Sequence, residues 1–131
     1  DEVVEHCAAS AAYLATPYTR LVTDRDGNWD PVASDEAGQL AARWCAVFAA
    51  RGQTVISPIV QAVEMVNQSS RLDPLDADFW MHWCAPMLRD CQAVIVPAIP
   101  GWRTSRGVWS EVCYALGHNC RVFLVAGEGD V

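Results

Sequence analysis

Along this chain, short apolar runs alternate with longer stretches whose apolar residues recur at helical spacing. Ser10-Ala11-Ala12-Tyr13-Leu14-Ala15 predicts a first strand, stopped by Thr16-Pro17. A polar stretch rich in turn formers follows, from Thr23 to Pro31. Ser34 can cap a helix running to about Ala50, with Leu40, Trp44, Val47 and Phe48 at helical spacing and Gly52 beyond its end. Thr54-Val55-Ile56-Ser57 reads as a short strand closed by Pro58. Ile59 to Gln68 reads as a helix and Ser69 to Asp73 as a loop. A further helix starts at Asp76 or Asp78 and carries Phe79, Trp80, Trp83, Met87 and Leu88. Pro86 is expected to kink or break it. Next come the strand Ala93-Val94-Ile95-Val96, a loop from Pro100, a helix from about Ser105 to Leu116 closed by Gly117, and a last strand, Arg121 to Val125.

Strands alternating with helices predict an α/β domain whose parallel sheet is covered by helices on both faces. Four strands are legible, and a sheet of four to five is expected. No repeat, low-complexity segment or linker divides residues 1–131, so one domain is expected. Because the chain opens on Asp1 without Met, the expectation is a segment trimmed or cut from something longer.

Composition narrows the chemistry. A hydrophobic fraction of 52% belongs to a folded globule. The apolar runs are too short to span a membrane, and no signal-peptide pattern precedes them. All nine basic residues are arginine, so lysine Schiff-base and Walker-type lysine chemistry is excluded. A formal charge of −7 argues against binding a nucleic-acid backbone. The six cysteines sit mostly in apolar stretches, which favours reduced thiols and a cytoplasmic setting. Cys113, His118 and Cys120 lack the spacing of a metal site, and neither metal nor organic cofactor is expected.

In an open α/β sheet, ligands bind beyond the carboxyl ends of the strands. There the first strand offers Tyr13, Thr16, Tyr18 and Arg20, and the loop from Pro100 offers Gly101, Trp102, Arg103, Ser105, Arg106, Gly107 and Glu111. Backbone N–H groups at Ser105 and Gly107, with the helix dipole, suit an anion. Glu111 lies about two turns inside that helix, its side chain directed back toward the start. The dipole is expected to keep it ionised. The plainer readings are a solvated Glu111, a Ser105 that only caps the helix, and tryptophans that only pack.

Tyr13-Leu14-Ala15-Thr16-Pro17-Tyr18, together with Gly101-Trp102, Ser105-Arg106-Gly107 and Glu111, resembles the nucleoside 2-deoxyribosyltransferase-like superfamily. The closest likeness is to small members carrying a PGWxxSxGxxxE motif. The resemblance implies a three-layer, flavodoxin-like (Rossmann-like) fold and cleavage or exchange of an N-glycosidic bond. It makes Glu111 the catalytic carboxylate that attacks the anomeric carbon and Tyr13 the residue that orients it. Ser105 stands where members acting on nucleoside monophosphates tend to have serine, and Arg103 and Arg106 fit a phosphate. The chain departs from the superfamily on the helix before the central strand. The usual base-positioning aspartate falls near Cys84, and Cys91-Gln92-Ala93 replaces a Cys-Asp-Ala entry.

His82, two residues from Cys84, is a candidate proton donor to the departing base, since imidazole titrates near neutral pH; a packed aromatic is the competing reading. The expected function is therefore that of an N-glycosidase (hydrolase) or deoxyribosyltransferase acting on a nucleoside or nucleoside 5′-monophosphate. The alternative is a nucleotide-binding sensor of the same fold without turnover. The expected partner is a small-molecule nucleoside or nucleotide, with no nucleic acid and no membrane. Self-association as a homodimer or higher homo-oligomer is expected, with the six tryptophans supplying apolar surface.

Overall fold

The computed structural model describes residues 2–7 and 10–126. A short helix α1 (Glu2–His6) precedes strand β1 (Ala12–Leu14), which leads into α2 (Thr19–Val22) and the long α3 (Pro31–Ala50). Then come β2 (Val55–Ile56), α4 (Pro58–Gln68), α5 (Ala77–Asp90) and β3 (Ala93–Pro97). A 3-10 turn over Trp102–Thr104, α6 (Arg106–Gly117) and β4 (Arg121–Val125) complete the order. All strand pairings are parallel, in the spatial order β2-β1-β3-β4. That is the doubly wound order in which the crevice lies between β1 and β3.

Strand side chains alternate between the two faces, and the register sorts them cleanly. Ala12, Leu14, Ala93, Ile95 and Phe123 join Trp44 and Phe48 of α3 and Val3 of α1 in one core cluster. Tyr13, Ala15, Val94 and Val96 join Leu88 of α5 and Val108 and Ala115 of α6 in the other. The fold is thus a three-layer, flavodoxin-like α/β sandwich. Every residue of β3 is buried, which explains why its sequence is a continuous apolar run rather than an alternation.

Local chemistry departs from expectation at several element ends. Asp30, not Ser34, caps α3. Its side chain accepts from the N–H groups of Val32 and Ala33, and Pro31 takes the first helical position, where no N–H is needed. Ser34 is buried one turn later and bonded to Tyr18. Pro86 neither ends nor breaks α5, which runs through it. Both Pro86 and His82, whose carbonyl loses its helical donor there, are exposed. Gly117 is the last residue of α6 instead of its terminator, and Asn119 takes the left-handed conformation after it (φ 57°). Among the described residues, no helix is long and apolar enough to cross a membrane.

Candidate active site

At the carboxyl end of β1, a cavity of about 620 Å³ lies between the chain leaving that strand and one face each of α4, α5 and α6. The helices α4 and α6 follow β2 and β3, so the cavity occupies the crevice expected of this topology.

Tyr13 is wholly buried on the α5–α6 side of β1, and its hydroxyl donates to Oε2 of Glu111 on α6. Burial and the neighbouring carboxylate push the phenol far above its ordinary range, so it remains a donor at any working pH. Glu111 retains slight exposure as a residue, yet its carboxyl group is closely surrounded by protein. Burial pushes it up to about 7, with only the Tyr13 hydrogen bond opposing the rise. The expectation of a dipole-held, fully ionised carboxylate is therefore corrected. Desolvation dominates because Glu111 sits in the second turn of α6, beyond the first turn where the dipole acts most strongly. Beside this pair lies the Cys84 thiol, pushed up to about 11 chiefly by burial, with the nearby Tyr13 hydroxyl opposing the rise.

The polar part of the cavity is built from chain ends. Ser105 Oγ accepts from Val108 N at 3.3 Å and so fixes the start of α6, where Arg106, Gly107 and Ser110 also face the cavity. From α2, Arg20 reaches across to Thr104 Oγ1 at 3.2 Å, tying the segment after β1 to the segment after β3. Neither Arg20 nor Arg106 is held in an ion pair among the described residues, so both charges remain available to an anion. Tyr18 lines the cavity, but its hydroxyl serves the scaffold. It lies 2.8 Å from Ser34 Oγ and accepts from Trp29 Nε1 at 3.0 Å. Thr16 also lines the cavity and is 7% exposed, while its hydroxyl has no partner among the described residues.

Four sequence candidates fall outside this cavity. Gly101 adopts φ 93° and turns the chain into the 3-10 segment. That turn sends Trp102 into the α6-side core cluster, and the exposed Arg103 stacks over the Trp102 ring at 5.2 Å. His82 is exposed, with Nδ1 2.8 Å from the Asp78 carbonyl oxygen. Its place on α5 directs it away from Glu111, whereas Trp80, Met81 and Cys84 line the cavity. The proton-donor role expected of His82 therefore has no geometric basis.

Sequence reasoning missed the other half of the cavity. Ile59, Ala62 and Val66 of α4 present one apolar face to it, and Leu75, Trp80 and Met81 continue that surface. In sequence this pattern is indistinguishable from a core-facing helix stripe. Ser110 was discoverable, since it lies three residues from Gly107 on the helix face that also holds Glu111.

Residues 10–127 match the family model described as a domain of unknown function, DUF1937. No curated protein matches the chain.

Proposed function

We propose that this chain, which belongs to the DUF1937 family, cleaves or exchanges the N-glycosidic bond of a nucleoside or nucleoside 5′-monophosphate, with Glu111 as nucleophile. The observation that carries the reading is the Tyr13–Glu111 pair set at one side of a cavity whose other polar groups suit an anion. The pairing is the one the resemblance to the nucleoside 2-deoxyribosyltransferase-like superfamily leads one to expect.

In this mechanism the ionised Glu111 carboxylate attacks the anomeric carbon while the bond to the base breaks. The bonding pair leaves with the base, which takes up a proton from solvent. The resulting glycosyl ester on Glu111 is then opened at the same carbon by water, giving hydrolysis, or by a second base, giving exchange. The Tyr13 hydroxyl holds one carboxylate oxygen and so fixes the direction of attack. Ser105 and Gly107 at the start of α6, with Arg106 and Arg20, hold the 5′-phosphate. No step calls for a metal or an organic cofactor.

One observation favours binding without turnover as a second reading. Glu111 is the sole carboxylate lining the cavity among the described residues, whereas retaining glycosidases pair two. Incubation with a panel of nucleosides and 5′-monophosphates, followed by chromatography for free base, separates the two. The enzyme reading expects base release that falls by about 10³-fold or more in Glu111→Gln. Nucleotide binding without release by the wild type supports the sensor, and absence of both overturns both.

A further inference from the structure

A hydroxyl taken out of water without a hydrogen bond costs stability and returns nothing to the fold, so where one persists is informative. Thr16 Oγ1 is such an atom. Among the described residues it is the one buried side-chain oxygen or nitrogen without a hydrogen-bond partner, and Thr16 lines the same cavity as Glu111. The other hydroxyls of the lining are provided for. Tyr13 donates to Glu111, and Tyr18 is shared between Ser34 and Trp29. Ser105 Oγ accepts from Val108 N. Thr19 is exposed and Ser110 partly so, within reach of water. The Cys84 thiol, also partly exposed, is a weak donor that loses little without a partner.

We infer that Thr16 is a specificity-determining residue whose hydroxyl pairs with a ring hydroxyl of the pentose. The inference rests on the reading of the cavity as a nucleotide site. In that reading the phosphate is held by the start of α6 with Arg20, and the anomeric carbon stands at Glu111, which Tyr13 orients. Thr16 lies on the chain between Tyr13 and Arg20, and the pentose spans the same interval. Its secondary hydroxyls are the polar groups that it brings there. Oγ1 is closed to water in the free protein, and a turn between staggered χ1 positions presents it to the ligand. The energetic asymmetry favours Thr16 over Thr19 or Ser110 as the partner. A hydroxyl already bonded to water only exchanges partners when a ligand arrives, for a small net gain. Thr16 gives up no water and gains a whole bond.

The test is calorimetric binding of AMP and its 2′-deoxy, 3′-deoxy and 2′,3′-dideoxy forms to the wild-type protein and to Thr16→Val, which keeps the branched shape without the hydroxyl. Binding is read before and independently of any base release. In the wild type, loss of the paired hydroxyl is expected to weaken Kd by about tenfold, and loss of the other by about twofold or less. The two singly deoxygenated forms show which of the two is paired. In Thr16→Val the tenfold difference is expected to fall to about twofold or less, and in Thr16→Ser to persist. Thr16→Ala reads the same loss should valine impair folding. An equal dependence on the ring hydroxyls with and without the Thr16 hydroxyl overturns the inference while leaving nucleotide binding, and so the functional reading, intact. Failure of every member to bind overturns both.

Discussion

Glu111 is the residue whose setting departs furthest from its surroundings in sequence. Between Ser110 and Val112 nothing announces burial, yet its carboxyl is pushed up to about 7 by desolvation. The partnership with Tyr13 was expected only from the resemblance, which aligns the two residues with a catalytic carboxylate and the tyrosine that orients it, and the Tyr13 hydroxyl does donate to Glu111. The protonation state was not legible, because it depends on how closely α5 and α6 pack over the pair. Burial at this strength has a stability signature. A carboxyl whose folded-state value lies above its unfolded one stabilises least when ionised. Stability is therefore lost as pH rises from about 4.5 through about 7, and is level above that. Glu111→Gln removes this titration. Denaturant unfolding of wild type and variant at pH 5 and pH 8 is expected to show the variant gaining, relative to wild type, by up to about 3 kcal/mol at the higher pH. Equal differences at both pH values would mean that the carboxyl is not desolvated.

At the scale of elements, α4 decides the shape of the cavity, and its position depends on α3. Gly38 lies buried in the middle of α3, and a Cβ there would stand 3.2 Å from Val63 Cβ of α4. The absent side chain lets the two helices approach closely, which places Ile59, Ala62 and Val66 along the cavity. Gly38→Leu is expected to lower stability by about 1–3 kcal/mol through overpacking. It should also weaken ligand binding through displacement of α4, as read by denaturant midpoint and calorimetry together. Helix positions were legible in sequence from their apolar spacing, but their opening residues were not: Asp30-Pro31, rather than Ser34, opens α3, and Ser57-Pro58, read as the end of a strand, opens α4. The direction each helix faces was less legible. The stripe on α4 reads as core packing, and only the packed structure reveals that part of it borders open space. His82 shows the same limit on α5, where its neighbours Met81 and Cys84 face the cavity and it does not.

For the whole molecule, the alternation of apolar runs with helical patterns was enough to give a parallel sheet covered on both faces. Short connections and the requirement to bury both faces of β1 and β3 leave few other arrangements. That topology then fixes where the site lies, since β1 and β3 are neighbours whose outgoing chains diverge, one to α2 and one to α6. Among the described residues Arg20 and Arg106 form no ion pair and both line this crevice, so in the proposed function a chain of net charge −7 admits a small anion there. Everything proposed for it turns on Glu111 acting as an ionised nucleophile. The most direct test is the pH dependence of kcat/KM for base release from the best nucleotide of the panel, measured from pH 5.5 to 8.5. The account expects the value to rise about tenfold per pH unit and level off near pH 7, the value to which burial pushes the free protein's Glu111. A profile that instead falls through this range would make the protonated carboxyl the active form and contradict the nucleophilic role.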